Sequence, residues 1–121
     1  MRYIINERQY KLLTEEEQEI FQIPSLDVFG EWETLQKFLE RRGYPLYSVG
    51  GNLDLYETNI KSLGKLTSIG GYLFLRGTKI ESLGNLTSVG GYLDLSETPL
   101  SKKYTIEQIR QMVKVGGNIY L

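Results

Sequence analysis

Cysteine and histidine are both absent from the 121 residues, which removes most familiar catalytic chemistry at once. Without a thiol there is no disulfide framework, no cysteine nucleophile and no thiolate metal site, and nothing marks an oxidising compartment. Without an imidazole there is no Ser-His or Cys-His pair and no zinc site built on histidine nitrogen. Long apolar runs are missing too. No stretch approaches the ~18 residues of a membrane-spanning helix, and the opening MRYIINERQYKLL lacks the continuous apolar run of a secretion signal. Charge of one sign is equally scarce: fourteen Lys and Arg stand against fifteen Asp and Glu, for a net charge of −1. No basic block could follow a phosphate backbone. The expectation is a cytoplasmic chain without a cofactor, a nucleic-acid partner or a membrane association.

What the chain has in quantity is glycine, and it comes in pairs. Gly50–Gly51, Gly70–Gly71, Gly90–Gly91 and Gly116–Gly117 are spaced at intervals of 20, 20 and 26 residues. Around them one phrase is written three times, SVGGNLDLYET, SIGGYLFLRGT and SVGGYLDLSET, and the chain closes on a fragment of it, VGGNIYL. After each pair Leu53 and Leu55, Leu73 and Leu75, and Leu93 and Leu95 alternate with other residues, the period of a strand. The apolar spacing then changes to three, at Ile60, Leu63, Leu66 and Ile69 and again at Ile80, Leu83, Leu86 and Val89. That spacing is too short for an α-helix and fits a 3₁₀ or extended return path, so each unit is expected to hold one short strand and a non-helical return arm. A unit of this kind has a single apolar edge, buried only by stacking on its copies. At this length one domain can bury about two thirds of its unfolded surface, enough for a core without metal or disulfide.

LDLYETNIKSLGKL and LFLRGTKIESLGNL resemble the leucine-rich-repeat pattern L-x-L-x-x-N/C-x-L, with Thr58, Thr78 and Thr98 where that family usually has Asn or Cys. A threonine hydroxyl there can still hydrogen-bond the backbone as the strand turns away. The ending EQIRQMVKVGGNIYL is further similar to short, uncharacterised leucine-rich-repeat proteins encoded by bacteriophages and bacteria. The likeness covers Tyr47 to Leu121. It implies an α/β solenoid: a small right-handed coil with a parallel strand sheet over 47–121, preceded by a helical N-terminal cap over 1–46 and completed by one helix before the last strand.

The long third interval accommodates that helix. In YTIEQIRQMVKV, Ile106, Ile109, Met112 and Val113 fall at helical spacing, Thr105 and Gln108 occupy capping-box positions, and the chain then enters a last strand, Asn118 to Leu121. Upstream, Leu35, Phe38 and Leu39 share one face of a helix expected to start near Gly30 or Glu31 and to stop at Gly43. Further upstream, RYII reads as a strand and Tyr10, Leu12 and Leu13 as the apolar side of another helix. The acidic run Glu15 to Glu19 reads as a solvated face, with a docking patch as the alternative.

Catalytic groups are hard to assemble from this sequence, and no enzyme is expected. Asp54 and Asp94 repeat two units apart, about 9 to 10 Å between backbones at the usual strand spacing, at the outer limit for paired glycosidase carboxylates and with Phe74 between them. Glu57 and Glu97 repeat likewise and read as solvated. GKL at Gly64 to Leu66 lacks the remainder of a phosphate-binding loop, and the NLT sequon at Asn85 belongs to the repeat. The informative residues are those alternating with the core leucines: Asp54, Tyr56, Tyr72, Phe74, Arg76, Tyr92, Asp94 and Tyr120. Tyr and Phe are favoured in strands and pair across them without any ligand. A Phe flanked by Tyr and Arg is also the composition of an interface centre. The repeat family commonly presents its concave strand face to partners, so the expectation is a protein-binding module, of the kind a bacteriophage could direct at a host protein. A carbohydrate-binding module and a virion or self-assembling structural protein remain the alternatives. The last strand offers an edge open to self-association or to addition of a partner's strand.

Overall fold

Each glycine pair is flanked by extended backbone on both sides, so each unit contributes two short strands where one was expected. The computed structural model describes residues 20–121; the strand expected at RYII, the helix carrying Tyr10, Leu12 and Leu13, and the acidic run Glu15 to Glu19 lie outside them. Strands ending at the glycine pairs are β2 (Tyr47–Val49), β4 (Leu66–Ile69), β6 (Ser88–Val89) and β8 (Lys114–Val115). Strands following the pairs are β3 (Leu53–Asp54), β5 (Leu73–Phe74), β7 (Leu93–Asp94) and β9 (Ile119–Tyr120). An additional strand, β1 (Phe21–Ile23), pairs with β2 and extends the first set into the region read as a helical cap. The result is α/β, with two all-parallel sheets in the orders β1-β2-β4-β6-β8 and β3-β5-β7-β9. Among the described residues the helices are α1 (Trp32–Glu40), α2 (Pro99–Lys103) and α3 (Ile106–Met112), with a 3₁₀ turn at Leu26–Val28.

Register follows the repeat. Val49, Ile69, Val89 and Val115 are successive partners in the first sheet, and Leu53, Leu73, Leu93 and Ile119 in the second. All eight are buried. The three-residue spacing does mark inward positions, since Leu63, Leu66 and Ile69 are buried, and of the two return paths expected, 3₁₀ or extended, the extended one is found. Leu66–Ile69 is a strand whose two ends face the core while Thr67 and Ser68 between them are half-buried. Thr67 fastens this strand to its predecessor and Thr87, just ahead of β6, fastens the following unit to this strand, each hydroxyl donating to the carbonyl one unit earlier, on Tyr47 and Thr67, at 3.0 Å.

The glycine pairs mark the corner where the chain crosses from one sheet to the other. There the backbones of successive units lie directly against each other. Gly70 N–H donates to Val49 C=O and Gly90 N–H to Ile69 C=O, both at 2.9 Å, and Gly91 N–H donates to Gly71 C=O at the same distance. A Cβ on Gly70, Gly90 or Gly116 would overlap the carbonyl oxygen of the glycine one unit earlier, and that obstacle is backbone, which cannot rotate away. Each strand after the corner ends in a turn. The hydroxyls of Thr58, Thr78 and Thr98 donate to Leu55, Leu75 and Leu95 C=O at 2.8, 2.7 and 2.6 Å, the role expected of them.

At the C-terminal side two helices stand where one was expected. Thr98 accepts a hydrogen bond from Ser101 N–H and Pro99 opens α2, so the chain turns helical directly after β7. The capping box of α3 forms between Thr105 and Gln108. Ile109 and Val113 are buried, but Ile106 and Met112 are exposed, because the short α3 sits at the rim and presents only a narrow stripe to the core. Arg110 on α3 completes the last corner. Its guanidinium donates to Val115 C=O at 3.1 Å and to Gly117 C=O at 2.9 Å. In the interior units those two carbonyl positions, Val49 and Gly51 for example, receive the N–H groups of the next glycine pair.

At the other side α1 buries Leu35 and Leu39 and meets the first unit through Tyr47, whose hydroxyl donates to Leu63 C=O at 2.6 Å and accepts from Gln36 Nε2 at 3.3 Å. Burial pushes this phenol well above the usual tyrosine range, with the Gln36 hydrogen bond opposing weakly. Two tests follow from this architecture. Gly90→Ala should lower unfolding free energy by at least about 2 kcal/mol, and Leu73→Ala by about 2 to 5 kcal/mol, in urea titrations. Gly51→Ala should be tolerated, because a Cβ there meets only ordinary contacts with Pro24 and Ser25. The Tyr47 phenol stays protonated in the folded chain at pH values where the unfolded chain releases the proton. Its contribution is therefore complete below about pH 10 and is lost above that, at up to about 1.4 kcal/mol per pH unit. Urea midpoints measured from about pH 8 to about pH 11 should fall more steeply in wild type than in Tyr47→Phe.

Candidate functional site

The second sheet turns its leucines inward and leaves a complete face of side chains outward. Because pairing is in register, the outward residues form rows across the strands. Asp54, Phe74, Asp94 and Tyr120 are successive partners in one row. Asn52, Tyr72, Tyr92 and Asn118 precede the strands at the same 20-, 20- and 26-residue offsets, and Tyr56, Arg76 and Ser96 follow them. Adjacent members of a row are about 4.8 Å apart at the backbone. All eight residues singled out from the sequence therefore lie on this face.

Their contacts divide the face into zones. Tyr72 and Phe74 are half-buried and stacked, with ring centroids 4.3 Å apart and planes 21° from parallel. Tyr92 and Tyr120 meet edge to face at 6.2 Å and remain nearly half exposed. Tyr56 is 52% exposed. Arg76 reaches across to Glu97, Nη2 to Oε1 at 3.6 Å, an exposed pair of little consequence for stability.

The two aspartates have a structural duty that the sequence reading did not assign. Asp54 Oδ1 accepts from Tyr56 N–H at 3.1 Å and Asp94 Oδ1 from Ser96 N–H at 2.9 Å, each folding its carboxylate back over the turn that ends the strand. The turn needs this help. Glu57 and Glu97 adopt φ of 54° and 58°, where Gly77 stands in the middle unit with φ 76°. A side chain in that left-handed region is costly, and the hydrogen bond that the preceding aspartate accepts from the turn offsets part of the strain. The signal for it was present as D-x-Y/S-E in two units against F-x-R-G in the third.

No group of three or more acidic residues among the described residues is placed to hold a metal ion. A separate cavity of about 370 Å³ lies between the Glu81–Leu86 turn and the α2–α3 pair, floored by Leu83, Leu86, Leu100 and Val113. It receives none of the outward residues of the second sheet. No helix among the described residues is long and apolar enough to cross a membrane. Comparison with protein-family models, with curated proteins and with solved structures gives no match.

The aspartate duty can be measured apart from any partner. Asp94→Ala should cost about 1 kcal/mol by removing the acceptor for Ser96 N–H, while Asp94→Asn, which keeps an oxygen there, should unfold at a urea midpoint close to wild type.

Proposed function

We propose that this chain is a non-catalytic protein-interaction module, a small right-handed leucine-rich-repeat solenoid that docks a protein partner on the outward face of its second sheet. The solenoid reading rests on the 20-residue register of both sheets and on the resemblance of LDLYET and LFLRGT to the repeat pattern. The binding reading rests on one observation above others. Five aromatic rings, Tyr56, Tyr72, Phe74, Tyr92 and Tyr120, stand on a face that the core does not need, because the leucines of the same strands already fill the interior. Aromatics and arginine ringed by polar groups are the usual make-up of an interface centre. Asn52, Asp54 and Asn118 supply that rim. Four strands span only about 15 Å, a width suited to a loop or a helix of the partner.

The working compartment on this reading is the cytoplasm, and the wording of the repeats favours a factor that a bacteriophage would direct at a host protein. A carbohydrate-binding reading draws on the same exposed rings, which are natural stacking platforms for sugars; glycan-array binding that disappears on substitution of Tyr72 and Tyr92 would decide for it. A self-assembling structural role draws on β9, the edge strand of the second sheet among the described residues.

The docking face is tested by recovering a partner from host lysate and measuring its affinity for variants whose fold has been checked by circular dichroism. Tyr72→Ala and Phe74→Ala should each weaken binding by about 2 kcal/mol or more while leaving the melting curve near wild type. Unchanged affinity in both, with charge changes at Glu15 to Glu19 abolishing binding, would move the site away from the sheet.

A further inference from the structure

The central outward row alternates acid and aromatic: Asp54, Phe74, Asp94, Tyr120, one per strand. Resting on the docking reading above, we propose that the segment received by this face is cationic, with an arginine side chain seated at Phe74 between the carboxylates of Asp54 and Asp94.

Three observations carry this. The first is charge. Asp54, Asp94, Glu57 and Glu97 lie along the outward strands and their turns, against Arg76 as the cation of the face, and Arg76 is already held by Glu97 at 3.6 Å. Among the described residues the remaining negative charge has no ion-pair partner on the sheet.

The second is preorganisation. One oxygen of each aspartate is pinned by a backbone N–H, Tyr56 for Asp54 and Ser96 for Asp94, which fixes both carboxylates on the strands that flank Phe74 and leaves the second oxygen of each for a donor from outside. Side chains already fixed lose little freedom on binding. The third is the ring itself. Phe74 is stacked on Tyr72 and so held in place, yet stays half-buried with surface left open. Aromatic rings attract cations, and a planar guanidinium both stacks on them and offers paired donors to a carboxylate, which an ammonium does not. The chain already uses this contact internally: the Arg42 guanidinium lies 3.7 Å from the Phe38 ring centroid. Phosphate-bearing and acidic partners are repelled by the same row.

The experiment uses the full chain and a labelled peptide of six arginines, followed by fluorescence anisotropy, with a six-citrulline peptide of equal length as the uncharged probe. The arginine peptide should bind, weakening as salt rises from about 50 mM to about 300 mM, and the citrulline peptide should not. Asp54→Asn with Asp94→Asn keeps both turn acceptors and should lower affinity about tenfold or more, as should Phe74→Leu. Glu81→Gln with Glu107→Gln makes the same change in net charge elsewhere and should leave affinity unchanged. Equal binding of the citrulline peptide, equal loss in the Glu81/Glu107 control, or no loss in the Asp54/Asp94 variant overturns the cationic assignment. A recovered partner that needs Tyr72 and Phe74 but tolerates Asp54→Asn with Asp94→Asn would leave the docking face standing and remove only this inference. If neither set of substitutions alters partner binding, both fall.

Discussion

Everything in this fold depends on the backbone-to-backbone contact at the glycine corners. Parallel pairing sets the distance between units at about 4.8 Å, and at the corner there is nothing between one unit's carbonyl and the next unit's Cα. A side chain would wedge the units apart on both sheets at once, since the same corner joins them. With glycine there, the N–H groups of Gly70, Gly90 and Gly116 reach the carbonyl one unit earlier, and the two sheets advance together without slipping. Register is thereby pinned at a point where no side-chain packing could correct it. Stacked leucines then superpose because they have no other choice, and Leu53, Leu73 and Leu93 are each fully buried.

The outward face inherits this order. Residues 20 apart in sequence become lateral neighbours, so the composition of a row can be read directly from the repeat and its variation. On the outward strands and their turns the middle unit departs from its neighbours at Phe74 for Asp, Arg76 for Tyr or Ser, and Gly77 for Glu. These are surface positions, free of the constraint that holds the leucines, and they give the centre of the face a character that its flanks lack. The turn chemistry changes with them: glycine needs no help in the left-handed region, and the unit that has Gly77 is also the one without the aspartate hydrogen bond.

Much of this was legible in the sequence where one interaction sets one pattern. Alternation at Leu53 and Leu55 marked a strand because each residue has a single inward neighbour to satisfy, and Thr105 with Gln108 marked a helix start because the capping box is wholly local. The first sheet was not legible in the same manner. Leu66 and Ile69 bury both ends of β4, so its apolar spacing fits a 3₁₀ path as well as the extended one it takes, and lacks the alternation that marks a strand. β1 was hidden for a different reason. Ile23 pairs with Val49, but Pro24 and Ser25 stand where the later units have glycines, and among the described residues no earlier corner packs against them to demand glycine. Arg110 carries no local signal at all, since its partners, Val115 and Gly117, are chosen by the folded path and not by helical spacing. Of the outward face, the placement of all eight residues was readable from the alternation. The duty of Asp54 and Asp94 toward their own turns was not, because it answers to a backbone angle.

Arg110 has a consequence for how such a chain can change length. Its guanidinium gives the corner at Gly116–Gly117 the same two hydrogen bonds that a following corner would give, so the carbonyls of Val115 and Gly117 are satisfied while β9 keeps its edge. On the opposite side Gly50 N–H bonds Ile23 C=O, and the first corner is satisfied by a strand that is itself no full repeat. Among the described residues both of these corners are therefore satisfied by parts that take no account of how many units lie between them. A tandem duplication of twenty residues within the interior would meet the same ladder above and below, and would widen the outward face by one strand while leaving these two corners untouched. Copy number and termination are separate variables here, which lets the breadth of the surface be adjusted in steps of one repeat.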